Sequence, residues 1–238
     1  MSEQNQIALR YAVQFEIAGD VRFLSHHDTL RLFERAAVRG GLPLQYSAGF
    51  NPNPKLSMPL PRPVGMAGLE EWLLVQLTQP LAPADVCARL DGALPEGIRI
   101  RGGWRSQGRE SWQAQEALCE VPLEPAVLET LAERIEQLLR APSAVLQRDM
   151  GPNKRGKSLD ARRFIAALEL RDGRLRMRLR YLSGATVRPG EVLELLGLPA
   201  QPYSSFVTRV AITWGPRDLS DGHLVAKPSR LPEESRNT

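Results

Sequence analysis

Cysteine and histidine are scarce in this chain, and no long apolar run occurs in it. Its 238 residues include two cysteines, Cys87 and Cys119, which fit neither a paired-metal spacing nor the density of a secreted disulfide framework. Both are read as reduced and structural. The three histidines, His26, His27 and His223, come without metal-ligand spacing or a nucleophile elbow, so no metal site is expected. Aromatic residues make up 6% of the chain, and no cluster resembles the base-stacking motifs of common RNA-binding sheets. No apolar stretch approaches the ~20 residues a membrane helix needs, and MSEQNQIALR has neither a basic n-region nor an apolar h-region. The expectation is a cytoplasmic protein with no membrane contact.

What the chain does contain is the makings of a core. Hydrophobic residues reach 42% and charged residues 24%, close to the average of globular proteins. Leu9, Tyr11, Val13, Phe15 and Ile17 alternate with polar neighbours, the period of a strand with one buried face. Ser25 is placed to cap a helix with Asp28 three residues on, and Leu30, Phe33, Ala36 and Ala37 supply its apolar stripe until Gly40-Gly41. LPLQYS reads as a short strand, 73–77 as another, Val86, Leu90 and Leu94 as a helix, and Ile98 with Ile100 as a strand. The second half repeats the order: a strand over 117–123, a helix carrying Leu128, Leu131, Ile135 and Leu138, then RFIAALEL and RLRMRLRY joined by Asp172-Gly173. A short helix opened by Pro189 follows, and Phe206, Val210, Ile212 and Trp214 alternate along a last strand. The fold class expected is α+β, with two tandem ferredoxin-like (β-α-β-β-α-β) domains, each an antiparallel sheet with its helices on one face. Residues 1–106 would form the first and 112–216 the second, with the polar GGWRSQGRESWQ as boundary and 217–238 as a mobile tail.

The net charge is +4, and the excess is local. Residues 148–188 hold twelve basic side chains against four acidic ones. Within this interval Arg174, Arg176, Arg178 and Arg180 alternate with Leu175, Met177, Leu179 and Tyr181, so all four arginines project from one strand face. With Lys154, Arg155 and Lys157 in the loop before them they form a candidate RNA-binding surface, because crowded guanidinium forks suit phosphate. Ion pairing with acids elsewhere in the chain is the competing reading. The letters Gly151, Gly156, Lys157 and Ser158 match G-x-x-x-x-G-K-S, but a phosphate-binding loop needs a buried strand before it and a helix starting at its lysine. ARRFIAALEL reads as strand instead, which favours a plain basic loop.

A second unusual stretch is YSAGFNPNPKLSMPLPRPVG, residues 46–65, with five prolines in one connection where four to six residues are typical in total. Pro52 and Pro54 stiffen it and Gly49 frees a turn, so it can present Asn51 and Lys55. Arg22, His26, Asp28 and Arg31 precede it with a single helix between, which lets them join it in a polar recognition site. A loop whose prolines merely guard an edge strand is the alternative. His26, at a helix N-terminus that lowers imidazole pKa, is the one candidate for a general base.

RFLSHHDTLRLFERAAVRGGLPLQYSAGFNPNPKLSMPLPRPVG and ALELRDGRLRMRLRYLSGATVRPGEVLELLGL resemble a bacterial family known as the radical-SAM-associated domain of unknown function. Arg22, Ser25, His26, Asp28, Arg31, Gly49, Phe50, Asn51, Pro52, Pro54, Ser57 and Gly65 match its motifs, and His27 stands where the family has an apolar residue. Members of that family occur fused to, or encoded near, a cobalamin-binding radical SAM protein, so the resemblance implies association with such a protein, here expected to be encoded separately. This chain lacks the Cys-x-x-x-Cys-x-x-Cys motif, so the iron-sulfur cluster, SAM and cobalamin are implied for the partner and no cofactor for this chain. The function expected is a non-catalytic accessory module that binds RNA, tRNA or rRNA, and presents it to that partner. A metal-independent RAMP-like ribonuclease with His26 as base, by analogy of fold, and a purely protein-binding adaptor are the alternatives.

Overall fold

The computed structural model describes residues 9–106, 112–148 and 156–216. The elements run β1 (Leu9–Ile17), α1 (His26–Arg39), β2 (Leu56–Ser57), β3 (Ala67–Leu77), α2 (Pro83–Asp91) and β4 (Ile98–Ser106) in the first half. The second half holds β5 (Trp112–Pro122), α3 (Pro125–Arg140), β6 (Val145–Arg148), β7 (Lys157–Asp160), β8 (Ile165–Arg171), β9 (Arg174–Arg180), α4 (Pro189–Leu195), α5 (Ala200–Tyr203) and β10 (Thr208–Pro216). The protein is thus a mixed α+β structure built on a large, mostly antiparallel sheet. No helix among the described residues is long and apolar enough to cross a membrane.

Most of the expected strands and helices form, and for the reasons read from the sequence. Ser25 Oγ accepts the Asp28 amide at 3.1 Å and donates to the Asp28 carboxylate at 2.6 Å, so the first turn of α1 is capped as its sequence specifies. Phe33, Ala36 and Ala37 then meet Val86 and Leu90 of α2 over Tyr11, Val13, Phe15, Ile17, Leu73, Val75 and Leu77. In the second half Leu131, Ile135 and Leu138 of α3 pack with Val192 and Leu193 of α4 on Cys119, Val121, Leu168, Leu175, Met177 and Leu179. The Asp172-Gly173 turn joins β8 to β9 with φ of 52° and 72°, the left-handed pair that a two-residue hairpin requires.

Tertiary pairing changes the picture elsewhere. The expectation of two separate sheets gives way to one of eight strands in the order β4-β1-β3-β10-β5-β9-β8, with β2 also on β3. The junction is a short parallel pairing of β3 with β10, Ala67 with Thr208 and Gly68 with Arg209. The outer edge of β3 is shared: β10 uses its start, and β2 pairs with Leu74 and Val75 near its end. LPLQYS makes only isolated bridges, Leu44 to Leu77 and Tyr46 to Pro54, because the edge it would fill is taken by β2. The polar segment expected as a boundary is strand as far as Ser106 and again from Trp112, held by pairs such as Ala12 with Trp104 and Ala114 with Trp214. RFIAALEL is strand only from Ile165; residues 161–164 form a single 3-10 turn that buries Ala161 and Phe164. Phe206 also lies in a 3-10 turn, half exposed, and a bulge between Arg209 and Ala211 breaks the alternation expected along the last strand. The tail 217–238 lies outside the described residues.

Candidate functional site at the seam of the sheet

The seam between the halves is polar at its centre. Arg209 is 2% exposed and Glu71 4% exposed, and the two face each other across the junction. Arg209 Nε donates to Glu71 Oε1 at 2.8 Å and Nη2 to Oε2 at 2.5 Å, a two-pronged charge-assisted pair. The local backbone makes room for it: a Cβ on Gly68 would stand 2.3 Å from Glu71 Oε1. Burial alone would weaken the Arg209 charge, but Glu71 reverses this and raises its pKa.

The proline-rich connection lies over this pair. Arg209 reaches the carbonyls of Pro61 and Leu60 at 3.4 and 3.5 Å. Arg62, between two prolines, donates to the carbonyls of Arg22 at 2.7 Å and Pro63 at 3.1 Å, and also to that of Met66. Prolines bring no amide donor, so carbonyls in such a stretch have few backbone partners, and here two guanidinium groups serve them. Burial lowers the Arg62 pKa and the Arg209 charge lowers it further, while Glu71 opposes both. A narrow cavity of about 10 Å³, room for roughly one water, lies beside the cluster and is lined by His26, Thr29, Met58, Leu60, Arg62 and Glu71, among others. A wider depression of about 420 Å³ at the ends of α1 and α2 has Arg39 as its one charged lining residue and no polar cluster.

The expected recognition site divides into two places. The amide of Gly65 donates to the Arg22 carbonyl at 3.0 Å, near the start of β3. Lys55 is tied to the other end, its amide donating to Gln45 and its carbonyl accepting from Gln76. Nine residues of strand, about 30 Å at ~3.3 Å per residue, separate Ala67 from Gln76. Asn51 is exposed in the loop closed by Ser47 and Asn53, and Arg31 is exposed on α1. Asp28 is engaged in the α1 cap. Of the six residues only His26 joins the polar cavity, where burial first, and the neighbouring His27 second, hold its pKa below the ordinary value.

The arginine row does project from the face opposite α3 and α4, since Leu175, Met177 and Leu179 between its members are buried. It is partly neutralised. Arg176 Nε lies 2.7 Å from Glu120 Oε1, and Arg178 Nε 3.4 Å from Glu116 Oε1. In the ladder Arg176 stands between Glu120 and Glu169, whereas Arg174 stands beside Arg171. Arg174 and Arg178 are exposed, Arg176 and Arg180 half-buried. Other basic residues of the interval are structural: Arg148 forks onto Glu191 at 2.6 and 2.7 Å, and Arg162 donates to the carbonyls of Leu139 and Ile165. Lys154 and Arg155 lie outside the described residues. Lys157 and Ser158 belong to β7, paired with Arg148 and Gln147, so the helix a phosphate-binding loop needs at its lysine is a strand here.

Sequence reading missed Glu71, Arg62 and Arg209. Glu71 carried a signal, because it shares the parity of Leu73, Val75 and Leu77 and a charge on a buried strand face needs a partner. Among the described residues no group of three or more His, Cys, Asp or Glu is placed to hold a metal ion.

Fold and seam together define an α+β protein whose two half-sheets are joined through a buried ion pair. The chain belongs to the family described as an uncharacterized protein conserved in bacteria (DUF2344), which matches residues 10–189. No curated protein matches the chain. Among solved structures it is similar to one titled as the crystal structure of an unknown protein from Galdieria sulphuraria, at 12% identity and a TM-score of 0.28, covering 88% of this chain and 98% of that one.

Proposed function

We propose that the chain is a non-catalytic accessory module that works in the cytoplasm, binds RNA and presents it to a separately encoded radical SAM protein. That partner would supply the iron-sulfur cluster, SAM and cobalamin. The observation that carries the RNA reading is the uncovered face of β9, from which Arg174 and Arg178 stand exposed beside Arg171. Such a face offers donors to a phosphate backbone without base-specific readout. The same proposal takes residues 1–106 and 112–216 as two ferredoxin-like units. Strand orders β4-β1-β3-β2 and β10-β5-β9-β8 support it, because each places its fourth, first, third and second strands in that sequence. The β6-β7 hairpin is then an insertion in the second unit. A ribonuclease using His26 is less well served, since His26 lies with Phe15 and Glu71 on the helix-covered side, away from the arginines.

The test is binding to total cellular RNA across a salt series, for the wild type and Arg174→Glu/Arg178→Glu. Affinity should fall steeply with salt, and the variant should bind at least tenfold more weakly with a shallower salt slope, by about two phosphate contacts. Equal binding by both proteins, or none by either at low salt, would refute the RNA reading.

A further inference from the structure

Three apolar side chains from distant parts of the sequence are exposed at the end of the sheet where β3 and β10 begin. Phe23 is 49% exposed, Val64 60% and Phe206 53%. The segments that carry them come together at Gly65, whose φ is +88°. A Cβ placed there would lie 3.3 Å from Phe23 Cε1 and 3.9 Å from Ser205 Oγ, so the segments carrying all three residues meet at that glycine. The backbone fixes the arrangement: Gly65 donates to Arg22, and Ala67 donates to Val207 at 3.0 Å. One half of the molecule supplies Phe23 and Val64, the other Phe206, so whatever covers the patch bridges both.

Beside the patch stands the cation of Arg22. The Arg22 guanidinium lies over the Phe23 ring, 4.9 Å from its centroid. Among the described residues it has no carboxylate partner, and its Nε is buried without a hydrogen-bond acceptor. That Nε is closed to solvent, but Arg22 as a whole is half-buried, so a carboxylate can approach its side chain from outside. An exposed apolar patch rimmed by polar groups is the anatomy of a protein contact, and the arginine sets the sign of the charge that should meet it.

We infer that Phe23, Val64 and Phe206 form a docking site for a protein partner that inserts an apolar side chain between the two phenylalanines and sets a carboxylate against Arg22. This surface shares no residue with the arginine face of β9 and does not depend on the RNA reading. Its test is selection of random twelve-residue peptides displayed on phage against the purified full chain, with the synthesised winners measured by fluorescence anisotropy. Enriched peptides should pair a Leu, Phe or Trp with a nearby Asp or Glu. Phe23→Ser and Phe206→Ser should each weaken their binding at least tenfold, Arg22→Gln should weaken it mainly at low salt, and Val38→Ser, an exposed residue elsewhere on α1, should leave it unchanged. Circular dichroism of each variant checks that the fold is kept. No enrichment, or peptides indifferent to Phe23→Ser and Phe206→Ser, would overturn the inference. So would binding of oligouridylate that is lost in Phe23→Ser but kept in Arg174→Glu/Arg178→Glu, which would make the patch a base-stacking platform.

Discussion

Removing Glu71 should destabilise the protein more than removing Arg209. Among the described residues Glu71 is the carboxylate that faces two guanidinium groups, the fully buried Arg209 and the half-buried Arg62. Glu71→Gln leaves both cations near each other without an anion. Arg209→Met leaves Glu71 with Arg62 and costs the Leu60 and Pro61 carbonyls a long hydrogen bond each. Breaking a buried pair from one side typically costs about 3–5 kcal/mol. For a chain of this size each kcal/mol lowers Tm by about 2–4 °C, so Arg209→Met should melt roughly 6–20 °C below the wild type, and Glu71→Gln lower still. The double variant Glu71→Leu/Arg209→Met removes the pair's desolvation cost together with its attraction, and should lie well above the sum of the singles. Thermal and urea unfolding followed by tryptophan fluorescence measure all four proteins, and Trp72, stacked on Trp214 at 4.7 Å near the seam, reports locally. Purely additive losses, or an Arg209→Met cost under about 1 kcal/mol, would show that the pair does not hold the halves together.

Three further outcomes follow from single residues. Gly68→Ala should cost about 1–3 kcal/mol, read in the same urea assay, because its Cβ would meet Glu71 Oε1 at 2.3 Å; an unchanged midpoint would mean that Glu71 is free to move. His26 has a folded pKa held below its unfolded value, so the unfolded chain takes up the proton first and stability should decline as pH falls through about 6.5. His26→Gln should flatten that decline between pH 7 and 5, and an identical slope would remove His26 as its source. Burial pushes the Cys119 thiol up to about 12, so at pH 8 an aromatic disulfide reagent should modify Cys87 and spare Cys119 until the chain unfolds; two thiols reacting in the native state would contradict the packing around Cys119.

Where a segment's structure depends on its own side chains, it was legible from the sequence. The alternation in 9–17, the Ser25 cap with its Asp28, the Asp172-Gly173 turn and the apolar stripes of α1 and α3 each specify their element without reference to anything distant. The arginine face belongs to this group, because period-two geometry alone puts Arg174, Arg176, Arg178 and Arg180 on one side. Pairing between distant segments was not legible. Whether β3 meets β10 depends on residues 138 positions apart, such as Glu71 and Arg209, and the bulge after Arg209 inverts the phase from which its burial would be read. The β6-β7 hairpin escaped for a related reason, since its four-residue strands carry too few apolar positions to show a period. Local chemistry fixes which segments are helix or strand. Only tertiary packing decides that the five-proline connection crosses a seam, that two arginines serve its carbonyls, and that the segments carrying Phe23, Val64 and Phe206 meet at Gly65, because each is a meeting of segments that lie far apart along the chain.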